Sequence, residues 1–336
     1  MKFSWDEIDQ HIQKKYDLLI CSASYEERSL SFVRHCPADR LGFVLVCHIK
    51  EFEEYVSKNL STVRELLEKK QIGFDEATLS HSDPIDSTDS IILALNKLSD
   101  MQQIDRVLID ITSFTHEMTL VILRIFHDLF AESQVTFVYS NAETYDPSTP
   151  DDKVWLSKGI SEIRSVIGFP GNPQPTSQTH LLIVVGYEYD RALSIISELE
   201  PSSLSLAFGK SDSLTTKINS SSKHYGAKEH FEELAEAALC YFAEDRIYKF
   251  AVSCNDPARA QGEIAAHLHE IGIDSSIYNV VIFALNNKPS TLGVGLFGLE
   301  NDDVQLCYAP ALIYNYGNYS SPGNECYIFN NIHKRE

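Results

Sequence analysis

Arg28 and Arg191 occupy the same place in two copies of one phrase. "LLICSASYEERSLSF" (residues 18–32) and "LLIVVGYEYDRALSI" (residues 181–195) align without a gap. In each copy an apolar run turns through a polar corner into a helical pattern, so each arginine is expected in the first turn of a helix. A cation there opposes the helix macrodipole at a cost of about 0.3–1 kcal/mol, which a bound anion would offset. Pairing with a carboxylate, Glu26 or Glu27 in one copy and Glu188 or Asp190 in the other, would offset it as well. Ser22 and Ser24 supply hydroxyls at the first corner. Ser24 and Glu27 fit an S-x-x-E capping box, so Glu27 is read as a cap before it is read as a catalyst.

A second group lies in "DITSFTHEM" (residues 110–118). Thr112, Ser113 and Thr115 surround the free N–H groups of a helix start, the composition of an anion or ribose-phosphate cradle. Plain capping by Ser and Thr explains the same residues. His116 stands at that helix start, where an imidazole tends to be neutral, and is the candidate general acid or base. "DRVLIDITSFTHEM" lies over "DRIYKFAVSCNDPA" at a different offset, as if the second copy were shorter by a strand-helix unit. In that counterpart Asp256 is the expected N-cap and Pro257 the first helical residue, with Asn255 and Arg259 as candidate ligand contacts. Further on, "FVYSN" (137–141) lies over "IFALN" (282–286), and Lys288 follows in a polar turn. The glycine-bearing stretch after it is expected to serve close packing.

Strands are expected near 17–22, 41–47, 75–80, 105–111 and 135–141, and helices near 25–35, 51–70, 85–99 and 115–131. "VWLSKGISEIRSVIGF" reads as a terminal strand pair. In the second copy strands are expected near 180–186, 203–209, 246–252, 277–285 and 303–309, with helices near 190–199, 226–243 and 257–271. Apolar strands alternating with amphipathic helices imply parallel sheets covered on both faces. The expected domains are residues 1–169 and 180–336, joined by a Pro-rich linker at 170–179. The aromatic tail around residues 308–328 has no assigned element.

The chain has 336 residues, 48 acidic against 28 basic, and a formal charge of −20. Binding to long duplex nucleic acid is disfavoured, because that affinity comes mainly from cationic contacts. A small anionic ligand needs only a few local donors. Seven cysteines without a C-x-x-C pair imply reduced cytosolic thiols, neither disulfides nor zinc ligands. His267 and His269 do not share a helix face, so no metal site is expected there. Neither G-x-G-x-x-G nor G-x-x-x-x-G-K-[ST] occurs, and no cofactor is expected. With no signal-peptide core and no long apolar span, the expected location is the cytoplasm, away from membranes.

The corner "ICSASYEER" followed by "DITSFTHEM" resembles the ligand loops of CRISPR-associated Rossmann-fold (CARF) sensor domains. Two such units in one chain resemble the SAVED arrangement of fused copies. The resemblance implies an α/β fold of two tandem Rossmann-like units with mainly parallel sheets, pseudo-two-fold related. It also implies a cyclic oligonucleotide or other nucleotide as ligand, an effector protein subunit as partner, and a role in prokaryotic defence. Carried over by residue, it marks Ser22, Ser24, Arg28, Thr112, Ser113, Thr115 and His116 as ligand-facing, with Val185 to Arg191 and Ser253 to Arg259 as counterparts. Ser113 and Phe114 stand where that family has glycines, and His116 where it has a cation. Three functions follow as expectations: a non-enzymatic nucleotide sensor with its pocket between the duplicated halves, a phosphodiester-cleaving or nucleotide-hydrolysing enzyme using His116, or a scaffold docking through its Tyr-rich tail.

Overall fold

The computed structural model describes residues 1–101, 103–145, 156–210, 227–316 and 319–334. The chain divides into two compact units, Met1–Pro147 with Tyr316–Glu336, and Ser148–Asn315. The first contains β1 (Lys2–Ser4), α1 (Ile8–His11), β2 (Tyr16–Ser22), α2 (Ser31–His35), β3 (Leu41–Ile49), α3 (Glu53–Lys69), β4 (Gly73–Leu79), α4 (Pro84–Met101), β5 (Arg106–Asp110), α5 (His116–Leu129) and β6 (Gln134–Tyr145). The second contains β7 (Ser157–Lys158), β8 (Arg164–Pro170), β9 (Thr179–Val185), α6 (Tyr189–Leu199), β10 (Ser203–Lys210), α7 (Ala227–Ala237), β11 (Ile247–Ser253), α8 (Pro257–Glu270), β12 (Asn279–Ala284), α9 (Lys288–Glu300), β13 (Gln305–Tyr308) and β14 (Ile313–Tyr314). The last strand, β15 (Ser320–Asn330), returns to the first unit.

Both units are Rossmann-like. The first sheet runs β1-β15-β6-β5-β2-β3-β4 and the second β11-β10-β9-β12-β13-β8, with β14 and β7 forming a separate pair. Pairing is parallel from β4 through to β6 and from β11 through to β13. Antiparallel strands close one side of each: β15 and β1 in the first, β8 in the second. Successive strand residues face opposite sides, so the complete burial of Leu18, Leu19 and Ile20, and of Leu181 to Val184, shows both faces of each sheet to be covered. On α3 the apolar positions Val56, Leu60, Val63 and Leu67 repeat at helical spacing and are buried.

The first repeat block holds in the fold, since β2 and β9 are the equivalent central strands. The second block does not. β5 is central beside β2, whereas β11 is an edge strand beyond β10. The topological counterpart of β5 is β12, and that of β6 is β13, so neither "DRIYKFAVSCNDPA" nor "IFALN" lies where the alignment put it. An apolar run before a helix does not record its neighbours in the sheet. The half-buried alternation of "IYKFAVS" is the edge character that the alignment overlooked.

The units also divide elsewhere than at residues 170–179. β8 and β9, which flank that segment, belong to the same sheet. β7 and β8 do not pair with each other but with β14 and β13. The strand segment after β6 thus joins the second unit, while β15, following β14, pairs with β6 in the first. Each unit takes its antiparallel partner from the strand segment that follows the other. A further helix, α9, was legible only as a glycine-bearing apolar run. It is buried from Pro289 to Leu299 and so has no amphipathic period. A Cβ at Gly293 would lie 2.5 Å from Ala260 Cβ and 2.9 Å from the Pro257 carbonyl oxygen, so glycine permits the close crossing of α8 and α9.

Candidate functional site

The carboxyl ends of parallel strands, where the strand order reverses, are where α/β sheets gather ligands. In the first unit that place is the corner after β2. The chain leaves Ser22, makes a 3-10 turn at Glu27–Leu30 with Glu26 as its N-cap, and continues into α2. Asn59 on α3 donates to the carbonyls of Ser24 (2.8 Å) and Glu26 (3.3 Å) and fixes the corner. The expected capping box is not formed: Ser24 Oγ accepts from the Glu26 N–H, and Glu27 pairs with Arg34 at the surface.

Arg28 is turned inward and engaged within the protein. The residue is 3% exposed. It donates to Glu26 Oε2 from Nη2 (2.6 Å) and Nε (3.1 Å), to the Ser140 carbonyl (3.0 Å) and to Ser320 Oγ (3.0 Å). Ser320 in turn donates to Glu26 Oε2 at 2.6 Å. The rings of Tyr139 and Tyr145 lie 5.8 and 5.7 Å from the guanidinium, and their hydroxyls are 3.3 Å apart. Burial opposes the charge of Arg28, but Glu26 and the two tyrosines hold it protonated well beyond its ordinary range.

Arg191 repeats the arrangement in the second unit, where α6 starts. It is 2% exposed, pairs with Glu188 at 2.5 Å and donates to the Ala309 carbonyl at 2.5 Å. Ser157 donates to Glu188 at 2.5 Å. The Tyr308 ring lies 5.7 Å away, with its hydroxyl 3.5 Å from that of Tyr314. Ser157 pairs opposite Tyr314 across the strands as Ser320 pairs opposite Tyr145. Both arginines are thus structural anchors within their own units.

The Ser and Thr cradle is likewise engaged. Thr112 donates its hydroxyl to Asp110 and accepts from the Ser140 N–H (2.9 Å), and Ser113 donates to the Ser22 carbonyl (2.7 Å). Burial pushes Asp110 up to about 6, with the Thr112 bonds and Arg28 acting against it. Thr115 is the N-cap of α5, accepting from Met118 N–H, and His116 is its half-buried first residue. The structure therefore joins Ser22, Thr112 and Ser113, but as backbone ties. In the second unit Asp256 and Pro257 start α8 as expected. Asn255 accepts from Ser253 Oγ, Arg259 pairs with Glu263 at 3.0 Å, and Lys288 is the first residue of α9 after its cap Asn287. Among the described residues, no group of three or more His, Cys, Asp or Glu is placed to hold a metal ion, and no helix is long and apolar enough to cross a membrane.

An open cleft of about 350 Å³ lies beside the β2 corner. One wall is a face of α3, on which Tyr55, Lys58, Asn59 and Thr62 recur at i, i+3, i+4 and i+7. The others are Tyr25, with the Glu27–Arg34 pair, and Tyr316 and Tyr319 ahead of β15 with Ser320 at its start. Tyr55 and Tyr316 stack with centroids 4.0 Å apart, and Tyr25 stands edge-on to Tyr316 (5.0 Å) and Tyr319 (5.5 Å). None of the candidates read from the sequence lines this cleft. The signal that could have found it was the polar stripe on α3 that flanks the buried one. Its tyrosine partners stand far away in the chain, in the aromatic tail.

The sequence matches no family model and no curated protein. Among solved structures the chain is similar to a putative UDP-N-acetylglucosamine 2-epimerase from Listeria monocytogenes, at 11% identity over 93% of each chain and a TM-score of 0.26. It is also similar to A-type ketoreductases from a modular polyketide synthase, at 13% identity over 85% of this chain and 76% of that one, with a TM-score of 0.22.

Proposed function

We propose that this chain is a non-catalytic sensor whose first unit binds a small anionic ligand of the nucleotide class. The observation that carries the reading is the tyrosine-lined cleft beside the β2 corner, which offers stacking faces and an exposed ammonium group together. Stacking of a base on an aromatic side chain contributes about 1–3 kcal/mol and tolerates any base, so such a cleft suits nucleotides. The hydroxyls nearest the strand ends are bonded within the protein, which favours holding a ligand over attacking one. A place in prokaryotic defence or stress, with an effector subunit as partner, rests on the resemblance of "ICSASYEER" and "DITSFTHEM" to sensor loops.

The test is thermal unfolding of the full chain against a nucleotide panel that includes cyclic oligonucleotides, with product analysis after prolonged incubation. The expected result is a raised midpoint with at least one member, reduced in Tyr55→Ala, and no turnover. Turnover that disappears in His116→Ala would replace this reading with the enzyme.

A further inference from the structure

We infer that the cleft takes one planar aromatic ring carrying one anionic group, and is too small for a ligand of several nucleotides. This rests on the binding role proposed above and narrows its ligand. The ring follows from Tyr55, which is 47% exposed and already stacked on Tyr316 at an interplanar angle of 6°, so that a third ring can continue the stack. The single charge follows from an inventory of the lining. Glu26 is committed to Arg28 and Ser320, and Arg34 pairs with Glu27 at 2.9 Å. Lys58 is exposed and forms no ion pair among the described residues. It stands one helical turn from Tyr55 on the same face of α3, so one cation is offered beside one stacking surface. The size follows from the volume: about 350 Å³ is near the lower end of the roughly 300–1,000 Å³ typical of small-molecule sites.

A mononucleotide and an aromatic carboxylate share this chemistry, and the experiment separates them. The full chain is titrated calorimetrically with AMP, adenosine, ribose 5-phosphate, 4-hydroxybenzoate and a cyclic tetra-adenylate. Binding is expected for AMP, for 4-hydroxybenzoate or for both, the tighter one identifying the source. Adenosine and ribose 5-phosphate should each bind about tenfold more weakly or worse. Tyr55→Ala and Lys58→Gln, both at exposed positions, should each weaken the preferred ligand by a similar factor, and the Lys58 effect should shrink at high salt. Adenosine binding as tightly as AMP would overturn the anionic requirement. Binding of the cyclic tetra-adenylate without any single-ring ligand would overturn the size limit while leaving the sensor reading intact. Binding of none of the five overturns the inference, and the sensor reading falls with it only if the wider nucleotide panel also produces no thermal shift.

Discussion

Around Arg28 the partner carboxylate lies two residues back, as the N-cap of a 3-10 turn, whereas around Arg191 it lies three back, as the N-cap of an α-helix. Gapless alignment would pair Glu188 with Tyr25 instead of Glu26. The fold nevertheless delivers an Arg–Glu pair, a serine from an antiparallel strand and two tyrosines to the same place in each unit. What is held constant is the packed cluster, and the local backbone adjusts to supply it. The clusters differ in completeness: Arg28 Nε bonds both Glu26 and Ser320, while Arg191 Nε is buried without a hydrogen-bond partner.

The largest effects should come from dismantling the clusters. Arg28→Ala and Arg191→Ala each leave a buried carboxylate uncompensated, and denaturant unfolding should show losses of about 3–5 kcal/mol. A loss below about 1 kcal/mol at either site would mean that this pair is not an anchor, and the equivalence of the two corners would fail.

Acid should separate the units by sign. In the second unit His180 is buried between Ser203 (2.8 Å) and Ser205 (3.0 Å), and Ser205 reaches His267 (2.8 Å). Burial, aided by His267, holds His180 down at about 4. The unfolded chain then binds the extra proton first, so this stability is present above about pH 6.5 and is lost as pH falls towards 4, by about 3 kcal/mol. Asp110 in the first unit, raised to about 6, acts in the opposite direction. The folded chain takes up its proton first, so its contribution grows more favourable as pH falls from about 6 towards 3.8. Between pH 4 and 6, His180→Gln should flatten the rise of stability with pH and Asp110→Asn should steepen it. Shifts of the same sign would contradict the assigned burial.

The smallest effects should distinguish the serines. Ser157→Ala and Ser320→Ala each remove a hydrogen bond to a buried carboxylate, at about 1.5–3 kcal/mol. Ser157 is buried and Ser320 only partly so, so water can replace the second hydroxyl more readily. Urea midpoints should place Ser157→Ala below Ser320→Ala, and the reverse order would show the first unit to be the tighter.

Much of the fold was legible in local pattern. The apolar runs at Leu18 and Leu181 became central strands, and Asp256 with Pro257 started α8 because cap and ring geometry act within a few residues. The candidate site was legible only at its margin. Arg28 and Ser24 mark the right corner, yet they are buried within it, and Tyr25 and Tyr55 form the surface that a ligand would meet. Capping and ligand binding call on the same residue types, so Thr112, Ser113 and Thr115 could not be told apart from a phosphate cradle before their partners were seen.

The sequence by itself determined the central strands and most of the helices, that one strand-to-helix phrase occurs in both units, and that an arginine stands at each first corner. Tertiary structure alone decided that β11 is an edge, that β8 and β15 each complete the unit that does not precede them in the chain, and that the aromatic tail walls a cleft with α3. The reason is range. Backbone preference and side-chain period act over a turn or a pleat, whereas Arg28 meets Ser320 across a separation of 292 residues, through packing that no local pattern encodes.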